Sequence, residues 1–457
     1  MATANEAVTS DYAKNQSTTT NGEANASAEP LPVVIAGGGC VGLFLALLLV
    51  QSSIPNKVIV IEPSPPSPES TRAMAHQPLI FPLFASAHLM PDLTRLGSFS
   101  SGLCFRTSAS NGSKLIAGKV FKEGEKAQLL LPQWKFQELL IGKVKEAGGQ
   151  KETSCVSVQV CTADTDADAE ADDHSKKSTT KEDEEPETIK ATYLVGADGA
   201  HSFVRRTLNL PFDGDTLPTM LVATDIVFDF HAHGFYDANF IIDPTSYGLI
   251  GRINTSGLWR VSYGVSPSLT WTEIQSSVHS KLRHMLPNGG LDDANGGAQA
   301  YRVKRVAPYR AQQRVVEALW REGARVGVLG DAAHLTNPYA GLGLASGIAD
   351  ASSLAQVLIR ILSPSPSSAS SSSSSSSSLA TDPATLLGSW STARRNTFLN
   401  VVDRPSRAAY QRVQSKVDTE EEIEQLLARD PLVGALKKGM PMMPPSLVTK
   451  GEDLEGW

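Results

Sequence analysis

Apolar and polar positions follow three rhythms along this chain. Between Pro32 and Glu62 they spell a strand (Pro32 to Ala36), a glycine turn (Gly37 to Gly42), an apolar helix (Leu43 to Gln51) and a second strand (Lys57 to Glu62), the order of a βαβ unit. From Met220 to Val265 the runs shorten into strand-like segments, Leu221 to Phe228, Asn239 to Ile242 and Leu258 to Tyr263, which predict a separate antiparallel sheet inserted into the first fold. Near Val326 the strand–glycine–helix rhythm returns, with a helix expected from about Leu342 to Leu362. The fold class expected is therefore α/β, a Rossmann-like domain carrying an inserted sheet domain.

Three segments break these rhythms. Residues 1 to 30 are mostly Ala, Thr, Asn, Ser and Glu, too polar to offset the entropy of ordering, and read as a disordered tail. An acidic insert near 162 to 188 separates two strand-like runs, Cys155 to Val160 and Ile189 to Val195, and reads as the long loop of a hairpin. Ser363 to Ser378 includes nine consecutive serines from Ser370 and reads as a flexible spacer.

Charge changes the picture once its distribution is seen. Of the net −7, the stretch Asp164 to Glu187 holds eleven acids against Lys176, Lys177 and Lys181, or −8, leaving the rest at +1. No basic face for nucleic acid is expected. Cys40, Cys104, Cys155 and Cys161 show neither zinc spacing nor disulfide density, which suits a reducing, cytoplasmic setting. Leu31 to Val50 is apolar, but its four glycines and the polar tail before it argue for a buried strand and helix, and no other run is expected to span a membrane. Nothing in these patterns sets an oligomeric state.

Chemistry concentrates in three turns. Gly37-Gly-Gly39-Cys-Val-Gly42 has the spacing that lets a strand turn tightly, a pyrophosphate approach the backbone and a helix pack on the strand; Glu62, twenty residues on, can accept ribose hydroxyls. Asp198-Gly199, with Arg205 nearby, ends a second apolar strand, although Asp-Gly is also a common plain turn. Gly330-Asp331 ends a third and runs through Asn337-Pro338 into Gly341, Gly343 and Leu344, where a helix N-terminus offers N–H groups to an anion. His231 and His233 lie two apart and on a strand would share one face, as a metal pair or a base for a phenol would, but a solvated turn is the favoured reading. No metal site is expected.

Taken in this order, the three turns resemble the class A flavoprotein monooxygenases of the para-hydroxybenzoate hydroxylase type, over about residues 31 to 415. The resemblance implies FAD held by Gly37, Gly39, Gly42 and Glu62 at its ADP half and by Asp331 at the ribityl chain. It further implies contacts from Arg72, Gln133, Gly330, Gly341, Gly343 and Leu344, and a shared flavin and NAD(P)H role for Asp198 and Arg205. Tyr247, Arg252 and Pro338 are the candidate catalytic residues, with Tyr263 beside them in the inserted sheet, where the family binds substrate. Trp320-Arg-Glu-Gly and the paired Arg394 and Arg395 resemble a fungal biosynthetic branch. Ala345 stands where many relatives place Asn.

The resulting division is a tail (1–30), an FAD-binding domain in three parts (31–110, 133–215 with the insert 162–188, and 311–362), a sheet segment (111–132), a substrate-binding sheet domain (216–310), a serine-rich linker (363–380) and C-terminal helices with a tail (381–457). The activity implied is hydroxylation of a small, phenolic or polyketide-like aromatic substrate with NAD(P)H and dioxygen, oxygen being added at C4a of the reduced flavin. Epoxidation, Baeyer–Villiger insertion, flavin reduction and halogenation share the architecture. A protein that binds FAD and turns nothing over is a further alternative; substrate-dependent NADPH consumption separates it from the enzymes.

Overall fold

The structure is a computed structural model that describes residues 29–70, 75–152, 156–160, 187–292, 296–363, 382–440 and 446–457. The acidic insert, the serine tract, most of the tail and Arg72 lie outside the described residues.

Five parallel strands form the first sheet, in the order Val326–Val328, Tyr193–Gly196, β1 (Val33–Ala36), β2 (Val58–Ile61) and Gln150–Glu152. Helix α1 (Cys40–Val50) joins β1 to β2 and is apolar nearly all round, because it is buried between this sheet, helix Gln133–Glu146 and helix Gly343–Leu362. The strand ends that carry Gly37, Asp198 and Gly330 are neighbours in this order, so parallel pairing delivers all three turns to one edge.

Gly343–Leu362 has the length and hydropathy to cross a bilayer, which the sequence reading did not credit to it. It is the core helix here: 72% of its apolar window is buried inside the fold.

A seven-stranded sheet is laid across this domain in the order Arg302–Tyr309, Met220–Val227, Leu258–Val265, Gly248–Arg252, Ala238–Ile242, Gly102–Thr107 and Leu115–Val120. All its pairs are antiparallel except Ala238–Ile242 with Gly102–Thr107. Two of its strands thus come from before residue 130, well ahead of the inserted run. Helix Trp271–Met285 begins at a capping box, Thr270 with Glu273, and buries Ile274, Val278, Leu282 and Met285 against the sheet's Trp259, Val261 and Tyr263.

One expectation is corrected. Val156–Val160 and Glu187–Ala191 do pair, but in parallel, so they are not the two arms of a hairpin; the acidic stretch between them lies outside the described residues.

His76 shows how tightly the core encloses polar groups. Its Nε2 donates to Leu131 O at 3.2 Å, its ring packs edge-on to Phe84 and Phe136, and Nδ1 has no partner among the described residues. Protonating Nδ1 would bury an unpaired N–H, and burial accordingly holds the imidazole down at about 4, with the bond to Leu131 opposing weakly. Between the unfolded value of roughly 6.5 and this native value only the unfolded chain takes up the proton, so stability is fully present at neutral pH and is lost as pH falls through that window. The expected loss is about 3 kcal/mol. Urea unfolding at pH 7.5 and 4.5 checks it: His76→Gln, which keeps a donor to Leu131 and does not titrate, should lose markedly less.

Candidate active site

The glycine loop is built by steric necessity. Gly37 has φ +110°, and a Cβ there would stand 2.3 Å from Ala197 O; a Cβ on Gly42 would stand 2.1 Å from Gly37 O. Gly39 is different, because nothing lies within 4 Å of where its Cβ would be. It is the N-cap of α1, with no side-chain cap and no acid in the first turn, so the helix presents its N–H groups and positive dipole end to open space.

Glu62 follows β2 and leans over this loop. Its Oε2 accepts from Gly38 N–H at 2.9 Å and its Oε1 from Ser64 N–H at 3.0 Å. Carboxylate oxygens each take a second donor, leaving acceptor capacity for a sugar hydroxyl. Helix Gln133–Glu146 is fastened to the loop from the other side: Gln137 Nε2 donates to Gly38 O at 2.6 Å, and Cys40 Sγ donates to Gln133 O at 3.6 Å.

The second turn is a brace as much as a contact surface. Asp198 accepts from Ser202 Oγ at 2.5 Å, Phe203 N–H at 2.6 Å and Val204 N–H at 3.1 Å, which anchors the start of helix Phe203–Thr207. Arg205 stacks over Phe212 and donates to Ala200 O and Ala332 O, both at 2.9 Å, tying this turn to the one that carries Asp331.

Asp331 is exposed on the single turn Gly330–Ala332. Gly330 has φ +58°, and its N–H donates to Asp350 Oδ2 at 3.1 Å. Asp350 is fully buried in helix Gly343–Leu362, where its carboxylate also takes His334 Nε2 at 2.6 Å and Arg394 Nε at 2.8 Å. Burial alone would push this carboxyl up; the charges of His334 and Arg394 and their hydrogen bonds outweigh it and hold it below the usual aspartate range. Arg394 in turn donates to Leu447 O at 2.6 Å and Thr449 Oγ1 at 3.0 Å.

The last turn opens helix Gly343–Leu362, which has neither a side-chain cap nor an acid in its first turn. Gly341 has φ +65°, and its carbonyl accepts from Gln77 Nε2 at 3.3 Å. Pro338 and Tyr339 are held from behind by buried Asn337, which bonds to Gln313 and to Ser406 O. Tyr339 packs with Tyr247 and Tyr410, and its hydroxyl has no partner among the described residues. Tyr247 is only 4% exposed and hydrogen-bonds Thr219 at 2.8 Å; burial raises both phenols well above their ordinary value.

Arg252 and the histidines occupy one structural cluster. Asp237 takes Arg252 Nε at 2.5 Å and Nη2 at 3.0 Å, and also His231 Nε2 at 3.0 Å. His231–His233 forms a 3-10 turn, so the two rings do not share a strand face; His233 stacks on Phe228. Tyr263 is buried in its strand beside Thr224. Among the described residues no three of His, Cys, Asp or Glu gather as metal ligands.

This arrangement joins a loop open only at Gly39, two uncapped helix N-termini and acids at adjacent strand ends. The sequence profile of the FAD binding domain family matches residues 30–376. The chain belongs to that family. Para-nitrophenol 4-monooxygenase of Pseudomonas sp. (strain WBC-3) is 32% identical over 332 residues, 72% of this chain and 78% of that protein. 6-Hydroxy-3-succinoylpyridine 3-monooxygenase HspB of Pseudomonas putida (strain DSM 28022 / S16) is 31% identical over 334 residues, 72% of this chain and 79% of that one. The crystal structure of p-nitrophenol 4-monooxygenase PnpA from Pseudomonas putida DLL-E4 has a TM-score of 0.69 at 25% identity, covering 90% of this chain and 96% of that chain. The flavin-dependent monooxygenase PieE, solved with FAD and substrate, shares the fold at a TM-score of 0.64 and 19% identity, over 91% of this chain and 71% of that one.

As a family member the chain meets the steric demands of FAD: space at Gly39 for a pyrophosphate, donors at the start of α1, and acceptor capacity on Glu62. Sequence reasoning missed Gln77, Gln137 and the Asp350 group. Gln137 was findable, one helical turn after Gln133; an isolated acid in an otherwise buried helix was the signal for Asp350.

Proposed function

We propose that this protein is an FAD-dependent monooxygenase that uses NAD(P)H and dioxygen to hydroxylate a small aromatic substrate. The observation that supports it most is the convergence of the Gly39 gap, Glu62 and the Gly330–Gly343 turn at neighbouring strand ends. FAD, when bound, supplies the redox chemistry with dioxygen. This chain's own groups would hold and orient it: Gly37, Gly39 and Gly42 would admit the pyrophosphate to the helix dipole, and Glu62 would accept from the adenosine ribose. Asp331 would accept from the ribityl chain, Gln133 would contact the pyrophosphate half, and Gly341, Gly343 and Leu344 would offer N–H groups to the flavin ring. Asp198, Arg205 and Gly330 keep the turns in register.

Both relatives above are named for oxygenation of a small ring bearing polar substituents, which supports an aromatic substrate here. Pro338 lies in the turn that opens the ring-facing helix, and Tyr247, packed beneath Tyr339, supports that turn. Placement in a fungal biosynthetic branch rests on Trp320-Arg-Glu-Gly and Arg394–Arg395. Of these Trp320 packs on Tyr193 and Trp390, and Arg394 holds Asp350.

Purified protein should be yellow and release intact FAD on heating. In labelled dioxygen it should consume NAD(P)H faster with a phenol or nitrophenol and place one labelled oxygen on the ring. Colourless protein that takes up no FAD, or hydrogen peroxide as sole product with every phenol tried, defeats the proposal. Glu62→Ala should weaken FAD by about ten-fold or more, since each charge-assisted ribose bond is worth roughly 1 to 3 kcal/mol. Equilibrium dialysis against FAD measures it, and an unchanged affinity would move the adenosine elsewhere.

A further inference from the structure

A second cleft, about 400 Å³ in volume, opens where the start of helix Gln133–Glu146 meets the edge strand Arg302–Tyr309 of the seven-stranded sheet. That is the size of a small-ligand site. None of Gly39, Glu62, Asp331 or Gly341 lines it, but Gln133 does, and Gln133 touches the first turn of α1 through Cys40. The cleft therefore adjoins the proposed FAD cradle and shares Gln133 with it.

Its charge is one-sided. Lys135, Arg260, Lys304 and Arg305 line it against a single carboxylate, Asp225. Asp225 is taken up by Arg260, which grips it at 2.8 and 3.1 Å, with Arg305 Nη1 at 3.9 Å. Neither Lys135 nor Lys304 forms an ion pair with another described residue.

The backbone arranges this excess. Asp225 pairs with Arg305 and Ile226 with Val303, so Lys304 is an extra residue in its strand. In a regular strand Lys304 and Arg305 would point to opposite faces; a bulge re-aims its residues, and here both line the same cleft. Trp134 adds an aromatic wall, with Lys135 Nζ 5.5 Å from its ring centroid. Cations beside an aromatic face suit a ligand that is at once planar and phosphorylated.

We propose that this cleft seats a phosphate-bearing half of NAD(P)H, with Lys135, Lys304 and Arg305 contacting the phosphates and Trp134 stacking on a base. The assignment rests on the monooxygenase reading above and gives the nicotinamide dinucleotide a place next to FAD in a chain with one glycine fingerprint.

The test uses full-length, FAD-loaded protein and oxidised NADP⁺ and NAD⁺ as non-reacting probes, titrated by calorimetry. Lys304→Ala and Arg305→Ala should each weaken NADP⁺ about ten-fold and flatten its salt dependence. FAD content and melting temperature should hold, because Arg260 keeps Asp225 paired. Binding of p-nitrophenol, followed by the flavin spectrum, should not change. The proposal falls if the double variant binds NADP⁺ within about two-fold of wild type, if p-nitrophenol affinity drops in its place, or if FAD-loaded wild type binds neither dinucleotide. Protein that never holds FAD would instead defeat the monooxygenase reading, and NADP⁺ weakening by these variants would still locate the cleft's ligand.

Discussion

Arg394→Ala is expected to destabilise the protein by about 3 to 5 kcal/mol, the range seen when one partner of a buried ion pair is removed and the other charge is left behind. Asp350 would keep His334 and Gly330 N–H as partners but lose the guanidinium at 2.8 Å, and Leu447 O and Thr449 would lose their donor. Chemical denaturation gives the size directly. The double variant Arg394→Met with Asp350→Leu should cost less than the sum of the two single changes, because neither the carboxylate nor the guanidinium is left buried without the other. Additive losses would show that the pair is not coupled. The same carboxyl predicts acid sensitivity of defined sign: its native value lies below the unfolded one, so its contribution is present above roughly pH 4 and disappears as pH falls through the native value.

Two glycines three residues apart should behave oppositely. Gly42→Ala drives a Cβ to 2.1 Å from Gly37 O, a backbone atom that cannot swing aside, and should cost about 3 kcal/mol together with nearly all bound FAD. Gly39→Ala meets nothing within 4 Å, and its φ of −70° suits any residue, so the melting temperature should hold. Its new methyl would occupy the approach of the pyrophosphate, and FAD affinity should fall about ten-fold or more. Scanning calorimetry paired with flavin absorbance separates the two cases. A Gly39→Ala protein that keeps FAD as tightly as wild type would remove the phosphate from that loop.

What the sequence shows and what it hides differ by range. The two strands of the βαβ unit and helix Gly343–Leu362 lie within a residue of their expected bounds, because glycine spacing and apolar period act locally, whereas α1 starts three residues early, at Cys40 inside the glycine turn. Partner choice across long separations is not local. Val156–Val160 and Glu187–Ala191 read as the arms of a hairpin, and nothing within either run reveals that they pair in parallel, in a two-stranded sheet of their own. The site divides in the same way: Glu62 announces itself through its distance from Gly42, whereas the occupation of Arg252 depends on Asp237, a neighbour its own strand does not reveal. The bulge at Lys304 is likewise invisible, since the residues themselves are an ordinary strand sequence.

The reach of Arg394 to Leu447 and Thr449 has a consequence for the order of events during synthesis. The glycine loop leaves the ribosome early, and the turn carrying Asp331 much later. The carboxylate that anchors that turn has all its partners once Arg394 is made, but Arg394 itself reaches its acceptors at Leu447 and Thr449 only after those residues have emerged. A nascent chain stalled short of residue 446 would therefore hold the loop, the turn and the buried carboxylate with its partners, but a guanidinium whose outer N–H groups still lack their acceptors.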